Sequence, residues 1–238
     1  VTRLTDDVGR KLAWFACSGI FRGLESLLRV LFSIGAMALI DPLLALVRII
    51  HDQASLTKVR ITGGEPLLRS DVLEIIAELR DALPEAELTL TTNGHRLADQ
   101  AAALREAGLD RVNVSLDSLD PQTFRAITGR DAVAPVRDGL AAARAAGFEN
   151  LKLNAVLLRT GAGAELESLV TFAATEGAEM RFIELMPLGP GAHRHDEEFF
   201  SADDALARLQ AAGGFLGPLP SSSTAERHQF ERDGRPVV

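Results

Sequence analysis

A single cysteine, Cys17, occurs in 238 residues. No intrachain disulfide and no CxxC or multi-cysteine metal site can therefore be drawn within the chain. Positive charge is also in deficit, with 25 Lys and Arg against 33 Asp and Glu and a formal charge of -8. A surface that holds a nucleic-acid backbone needs concentrated cations, so nucleic acid is excluded as a partner. A small anion gripped by a few cations inside one cleft is not. Long apolar runs are missing too. The stretch Leu27 to Ile50 is interrupted by Arg29, Asp41, Pro42 and Arg48, and its longest uncharged piece, Val30 to Ile40, is far shorter than the ~20 residues of a membrane span. Val1 to Asp7 carries two acids and no small-residue cleavage site follows, so a secretory signal is not expected and a cytoplasmic location is. No GxSxG, P-loop or GxGxxG pattern supports a nucleophilic hydrolase or a classical nucleotide fold.

What the chain does have is regular alternation. Short β-rich runs alternate with Ala/Leu/Glu/Arg-rich runs: residues 58–64 then 70–83, 87–94 then 97–108, 111–118 then 133–147, 151–159 then 165–177, and 180–188 then 201–213. The second member of each pair has apolar residues at three- and four-residue steps, such as Val72, Ile75, Ile76 and Leu79, and several stop at glycine. Strands followed directly by helices lie parallel and need right-handed crossovers. With 47% apolar residues, one core is affordable, and five strand–helix units fit a barrel, a partial barrel or a doubly wound sheet. Either way the loops after the strands form the active face.

Those strand ends are polar. They carry Gly63-Gly64-Glu65, Thr91-Thr92-Asn93-Gly94, Asn113 with Ser115 and Asp117, Lys152 with Asn154, and Arg181 with Glu184 and Met186. Paired glycines let backbone N–H and C=O groups approach a ligand, and Glu65 beside them is able to accept from a ligand ammonium. Arg60, Lys152 and Arg181 would set three positive charges facing an anion; the alternative is ion pairing with acids such as Glu65, Asp117 and Glu184.

The segments VRITGGEPLLR, LTLTTNG, LDRVNVSLDSLD, LKLNAVLLR and MRFIELMPLG resemble, in order and spacing, the molybdenum cofactor biosynthesis protein A family, the radical S-adenosylmethionine (SAM) GTP 3′,8-cyclases. The resemblance runs from about Thr57 to Leu209. It implies an α/β fold, a partial (β/α)6 TIM-like barrel of the radical SAM type. It also implies SAM and a [4Fe-4S] cluster as cofactors, and conversion of GTP to a cyclic pyranopterin precursor that begins with hydrogen abstraction by a 5′-deoxyadenosyl radical. By the same resemblance Gly63, Gly64, Glu65, Ser115 and Met186 are SAM contacts, and Arg60, Thr91, Lys152 and Arg181 are GTP contacts.

The pattern fails upstream. The family's CxxxCxxC positions fall on Gly23, Leu27 and Val30, none of which ligates iron. Residues 1–56 thus read as a degenerate first βα unit, with Lys11 to Ser18 a candidate strand and Asp41 to Asp52 a candidate helix. The segment is either a divergent one that lost the cluster while the barrel was kept for binding GTP, SAM or a partner protein, or one translated in a shifted frame, a point the coding DNA decides. Residues 57–213 read as the barrel and 214–238 as a tail. His193 and His195 with Asp196 and Glu197 bring metal-ligand types together, but without a third histidine a solvated loop is expected. A parallel sheet with an uncovered edge strand makes homo-oligomerisation a further expectation.

Overall fold

The computed structural model describes residues 47, 50–51, 53–129, 133–187, 195–221 and 225–238. Everything upstream of Val47 lies outside them, including Gly23, Leu27 and Val30, the candidate strand at Lys11 to Ser18 and most of the apolar stretch from Leu27. Residues 47, 50, 51, 53 and 54 are helical, in keeping with the helix expected there, and Val47 is buried in the core. Among the described residues no helix is long and apolar enough to cross a membrane.

The repeating units form as their composition dictates. Strands β1 (Lys58–Ile61), β2 (Glu87–Thr92), β3 (Arg111–Ser115), β4 (Lys152–Leu157) and β5 (Glu179–Glu184) make one parallel sheet in the order β1-β2-β3-β4-β5. Between them run α1 (Val72–Ala82), α2 (Leu97–Glu106), α3 (Pro121–Thr128), α4 (Ala134–Ala145) and α5 (Leu166–Glu176). After β5 come α6 (His195–Glu198) and α7 (Ala202–Ala211). The sixth strand of a (β/α)6 arrangement would come from the part of residues 1–56 upstream of Val47, outside the described residues.

Helix α3 was not foreseen, although its signals are standard. Asp120 accepts from the Thr123 N–H (2.8 Å), Pro121 opens the helix, and Gly129 ends it in the left-handed conformation.

Alternation splits the sheet into two unlike faces. Val59, Ile61, Leu88, Leu90, Val112, Val114, Leu153, Ala155, Leu157 and Met180 are buried on the outer face, in one core with helix residues such as Ile76, Leu79, Leu104, Leu140 and Leu169. At ~25 cal/mol per Å² of apolar surface, this burial is the main force holding helices to sheet. Packing is tight where α4 meets the loop after β2. A Cβ on Gly139 would lie 2.8 Å from the Gly94 carbonyl oxygen, and one on Gly94 (φ 78) would lie 3.0 Å from Val114 Cγ1. At the sheet's opposite end the Arg80 guanidinium donates to the carbonyls of Gly108, Leu83, Pro84 and Ala86 and pairs with Asp110, stapling the return turns together.

Residues 214–238, read from sequence as a tail, form an antiparallel sheet of β6 (Phe215–Leu219), β7 (Arg227–Arg232) and β8 (Arg235–Val237). It docks on β5 and α5: the Met180 N–H donates to the Val238 carbonyl (2.8 Å), and Arg235 donates to the Thr175 carbonyl (3.0 Å). Part of the β5 edge is thereby occupied.

Candidate active site

Strands buried on both sides of a parallel sheet are ordinarily apolar throughout. Here the inner face is not. Its registered rows are Arg60–Thr89–Arg111, Thr91–Asn113–Lys152–Glu179 and Ser115–Asn154–Arg181. Together with Lys58 and Glu87 these strands place five cations against two carboxylates on one face of a chain whose net charge is -8. Arg60, Thr91, Lys152 and Arg181 all lie on that face, and Thr91 and Lys152 share a row.

Lys152, Arg181, Lys58 and Arg111 are held by acids other than those the sequence suggested. Lys152 Nζ and Arg181 Nε both donate to Glu179 Oε1, each at 2.7 Å, and Arg227 from β7 approaches Oε2 at 3.4 Å. Nearer the N-terminal ends of the strands, Glu87 pairs with Lys58 and Arg111, each at 2.6 Å. Burial lowers the Lys152 ammonium below its usual range even though Glu179 opposes the shift. Burial acts to raise Glu179, but the hydrogen bonds from Lys152 and Arg181 outweigh it and hold that carboxyl below the usual range. Sequence reasoning missed Glu179, yet its two-residue spacing from Arg181 was a usable signal of a shared face. Arg227 carried no such signal, because nothing in residues 214–238 announced a docked sheet.

The three acids named from sequence are engaged elsewhere. Glu65 accepts from Thr92 Oγ1 (2.6 Å), the Asn93 N–H (2.7 Å) and the Leu67 N–H (3.1 Å). It ties the β1 loop to the end of β2 and caps the short turn Pro66–Leu68. Glu184 accepts from the Ala202 N–H (2.8 Å). Asp117 accepts from the Val156 N–H (2.8 Å), replacing a ladder acceptor where β3 leaves β4, and burial raises its carboxyl above the usual range.

Gly63 (φ 147) turns the chain in a conformation that side chains rarely adopt. A Cβ at Gly64 would meet no atom within 4 Å, so open space faces this backbone. Ser115 is half-buried at the end of β3, and past the end of β5 Met186 stands 63% exposed. An exposed apolar side chain of that size beside a polar face is available to an organic ligand. His195 lies on α6, and among the described residues no group of three His, Cys, Asp or Glu is placed to hold a metal ion. His193 is outside them.

Residues 39–173 match the model of the radical SAM superfamily, and the chain belongs to that superfamily. The match begins upstream of the Thr57 at which sequence motifs become recognisable. Within the superfamily the resemblance to GTP 3′,8-cyclases holds. The GTP 3′,8-cyclase of Mycobacterium marinum is 47% identical over 165 residues, covering 69% of this chain and 46% of that protein. GTP 3′,8-cyclase 2 of Mycobacterium tuberculosis is 48% identical over 170 residues, covering 71% and 47% respectively. The chain thus spans about half the length of the curated relatives it matches. Among solved structures, coproporphyrinogen III oxidase from Escherichia coli, a radical SAM enzyme, superposes with a TM-score of 0.50 at 17% identity over 72% of this chain and 45% of that one. This likeness supports the α/β barrel architecture alone.

The superfamily implies SAM and a [4Fe-4S] cluster. The open backbone at Gly64 and the exposed Met186 suit an organic cofactor. The cluster does not fit this chain, since one thiol, Cys17, cannot provide the three thiolates of a CxxxCxxC seat.

Proposed function

We propose that this chain is the barrel portion of a GTP 3′,8-cyclase-type protein of molybdenum cofactor biosynthesis. SAM lies across Gly63, Gly64, Glu65, Ser115 and Met186, and GTP across Arg60, Thr91, Lys152 and Arg181. The observation that carries this reading is the excess of cations on the inner face of an otherwise acidic chain. A triphosphate is the part of GTP such a face recognises, because its oxygens take charge-assisted hydrogen bonds from ammonium and guanidinium groups. Thr91 contributes a hydroxyl in the same row. Glu65 shapes the cofactor turn by accepting from Thr92 and Asn93 at the end of β2 and from Leu67 of its own turn, and among the described residues its Oε2 receives one hydrogen bond, leaving acceptor capacity for an ammonium.

In this family the cluster supplies the electron that opens SAM. This chain has no three-thiolate seat, so the reading is one of binding in a cytoplasmic protein that does not turn over GTP by itself. Calorimetry tests it. GTP and SAM bind the unmodified chain, and K152A/R181A weakens GTP at least tenfold, on the scale of ~1.5–3 kcal/mol per charged hydrogen bond, while SAM is unaffected. Absence of heat with GTP refutes the substrate assignment. Anaerobic reconstitution checks the cluster: about four irons per chain would overturn the conclusion that this chain holds none.

A further inference from the structure

Glu179 belongs to no motif and has no role in the proposed contacts, yet two of the inner-face cations, Lys152 and Arg181, converge on it. Lys152 and Arg181 sit on neighbouring strands in different rows, Lys152 opposite Glu179 and Arg181 opposite Asn154. Left alone, a half-buried lysine and an arginine at this spacing repel each other, and each long side chain has several rotamers of similar energy. Glu179 removes both problems, because a single oxygen, Oε1, receives Lys152 Nζ and Arg181 Nε at 2.7 Å each. An arginine bonded through Nε keeps its terminal nitrogens for a second acceptor, and an ammonium bonded once keeps two of its three protons.

We propose that Glu179 is a positioning residue for the substrate's phosphates. It fixes the ammonium and the guanidinium side by side with their remaining donors unspent, so that two neighbouring phosphate oxygens meet an arranged pair. This rests on the reading of the inner face as the GTP site. The competing account is structural. Arg227 of β7 reaches the other oxygen, Oε2, at 3.4 Å, so Glu179 would serve only to dock the C-terminal sheet. The two accounts separate because the docking contact and the positioning contacts use different oxygens.

The experiment titrates the full chain with inorganic tripolyphosphate, GTP and guanosine, with thermal melts confirming that each variant is folded. E179Q keeps the shape and loses the charge. It is expected to bind tripolyphosphate and GTP about tenfold more weakly, the scale of one charge-assisted hydrogen bond, with guanosine unchanged; E179D, which restores the charge with shorter reach, falls between. R227Q cuts the docking contact alone and is expected to stay within about threefold of the native chain, less than the loss of one such bond. The proposal is overturned if E179Q binds tripolyphosphate as well as the native chain or better, if guanosine weakens equally, or if R227Q reproduces the loss. Native binding of tripolyphosphate without GTP would refute the nucleotide reading and leave the positioning role standing. Native binding of neither removes both.

Discussion

Replacing Glu65 by glutamine perturbs the cofactor turn without changing its volume. The half-buried carboxylate accepts three hydrogen bonds, two through Oε1 from Thr92 Oγ1 and the Leu67 N–H, and one through Oε2 from the Asn93 N–H. A glutamine that keeps its oxygen toward Thr92 and Leu67 turns its amide NH2 toward the Asn93 N–H, setting donor against donor. Leaving that N–H unsatisfied costs ~1–3 kcal/mol. At ~2–4 °C per kcal/mol for a domain of this size, E65Q melts ~2–12 °C lower. E65A abandons all three donors, and at the low end of ~1.5–3 kcal/mol for each bond to a charged group it costs about 4.5 kcal/mol. Differential scanning calorimetry measures both shifts. Amide hydrogen exchange at Asn93 locates the cause, because the unpaired N–H exchanges faster while Leu90, within β2, does not. A melting temperature for E65Q within about 1 °C of native, or unchanged exchange at Asn93, would refute the assignment of Glu65 as the tie between the β1 loop and the end of β2.

Other expectations follow from the same geometry. Gly94→Ala forces a Cβ to 3.0 Å from Val114 Cγ1 and 3.2 Å from Val136 Cγ1 at φ 78, and is expected to cost ~1–3 kcal/mol in urea unfolding. Asp117→Asn keeps an acceptor for the Val156 N–H while removing a charge that burial disfavours. Because the folded carboxyl titrates above its ordinary value, its charged form destabilises the fold as pH rises past 3.8; D117N therefore raises the melting temperature at neutral pH and has little effect below 3.8. Glu87 and Glu179 have the opposite sign. Both titrate below their ordinary 4.5 in the folded chain, so their stabilisation is present above 4.5 and is lost as pH falls through the lowered folded values, a loss that urea midpoints between pH 5 and 2 measure.

The strand–helix alternation was legible because apolar periodicity and glycine stops follow from burial and helix geometry alone. Arg60, Thr91, Lys152 and Arg181 were grouped by family resemblance, and strand parity is the physical reason the fold sets them on one face. Partner choice was not legible. Glu65, Asp117 and Glu184 looked like counter-ions by charge, but each lies where backbone N–H groups reach it first. Lys152 and Arg181 turn instead to Glu179, and Lys58 and Arg111 to Glu87, acids that open their strands. Residues 214–238 look polar and turn-rich because β6 to β8 bury little, apart from Phe230 and Val237, so they lack the alternation that marks a half-buried sheet.

The order of the parallel sheet bears on how the chain assembles. Every pairing from β1 to β5 joins strands that follow one another in sequence, so each closure spans only the one or two helices between them and no strand waits for a distant partner. Growth can proceed one unit at a time, each new strand finding the previous one already in place. The exception is the contact from Met180 to Val238, which returns across two helices and a separate sheet. Until residues 214–238 have been made, the β5 edge keeps its hydrogen-bonding groups open, and that interval is when a growing chain is most prone to pair with a neighbour.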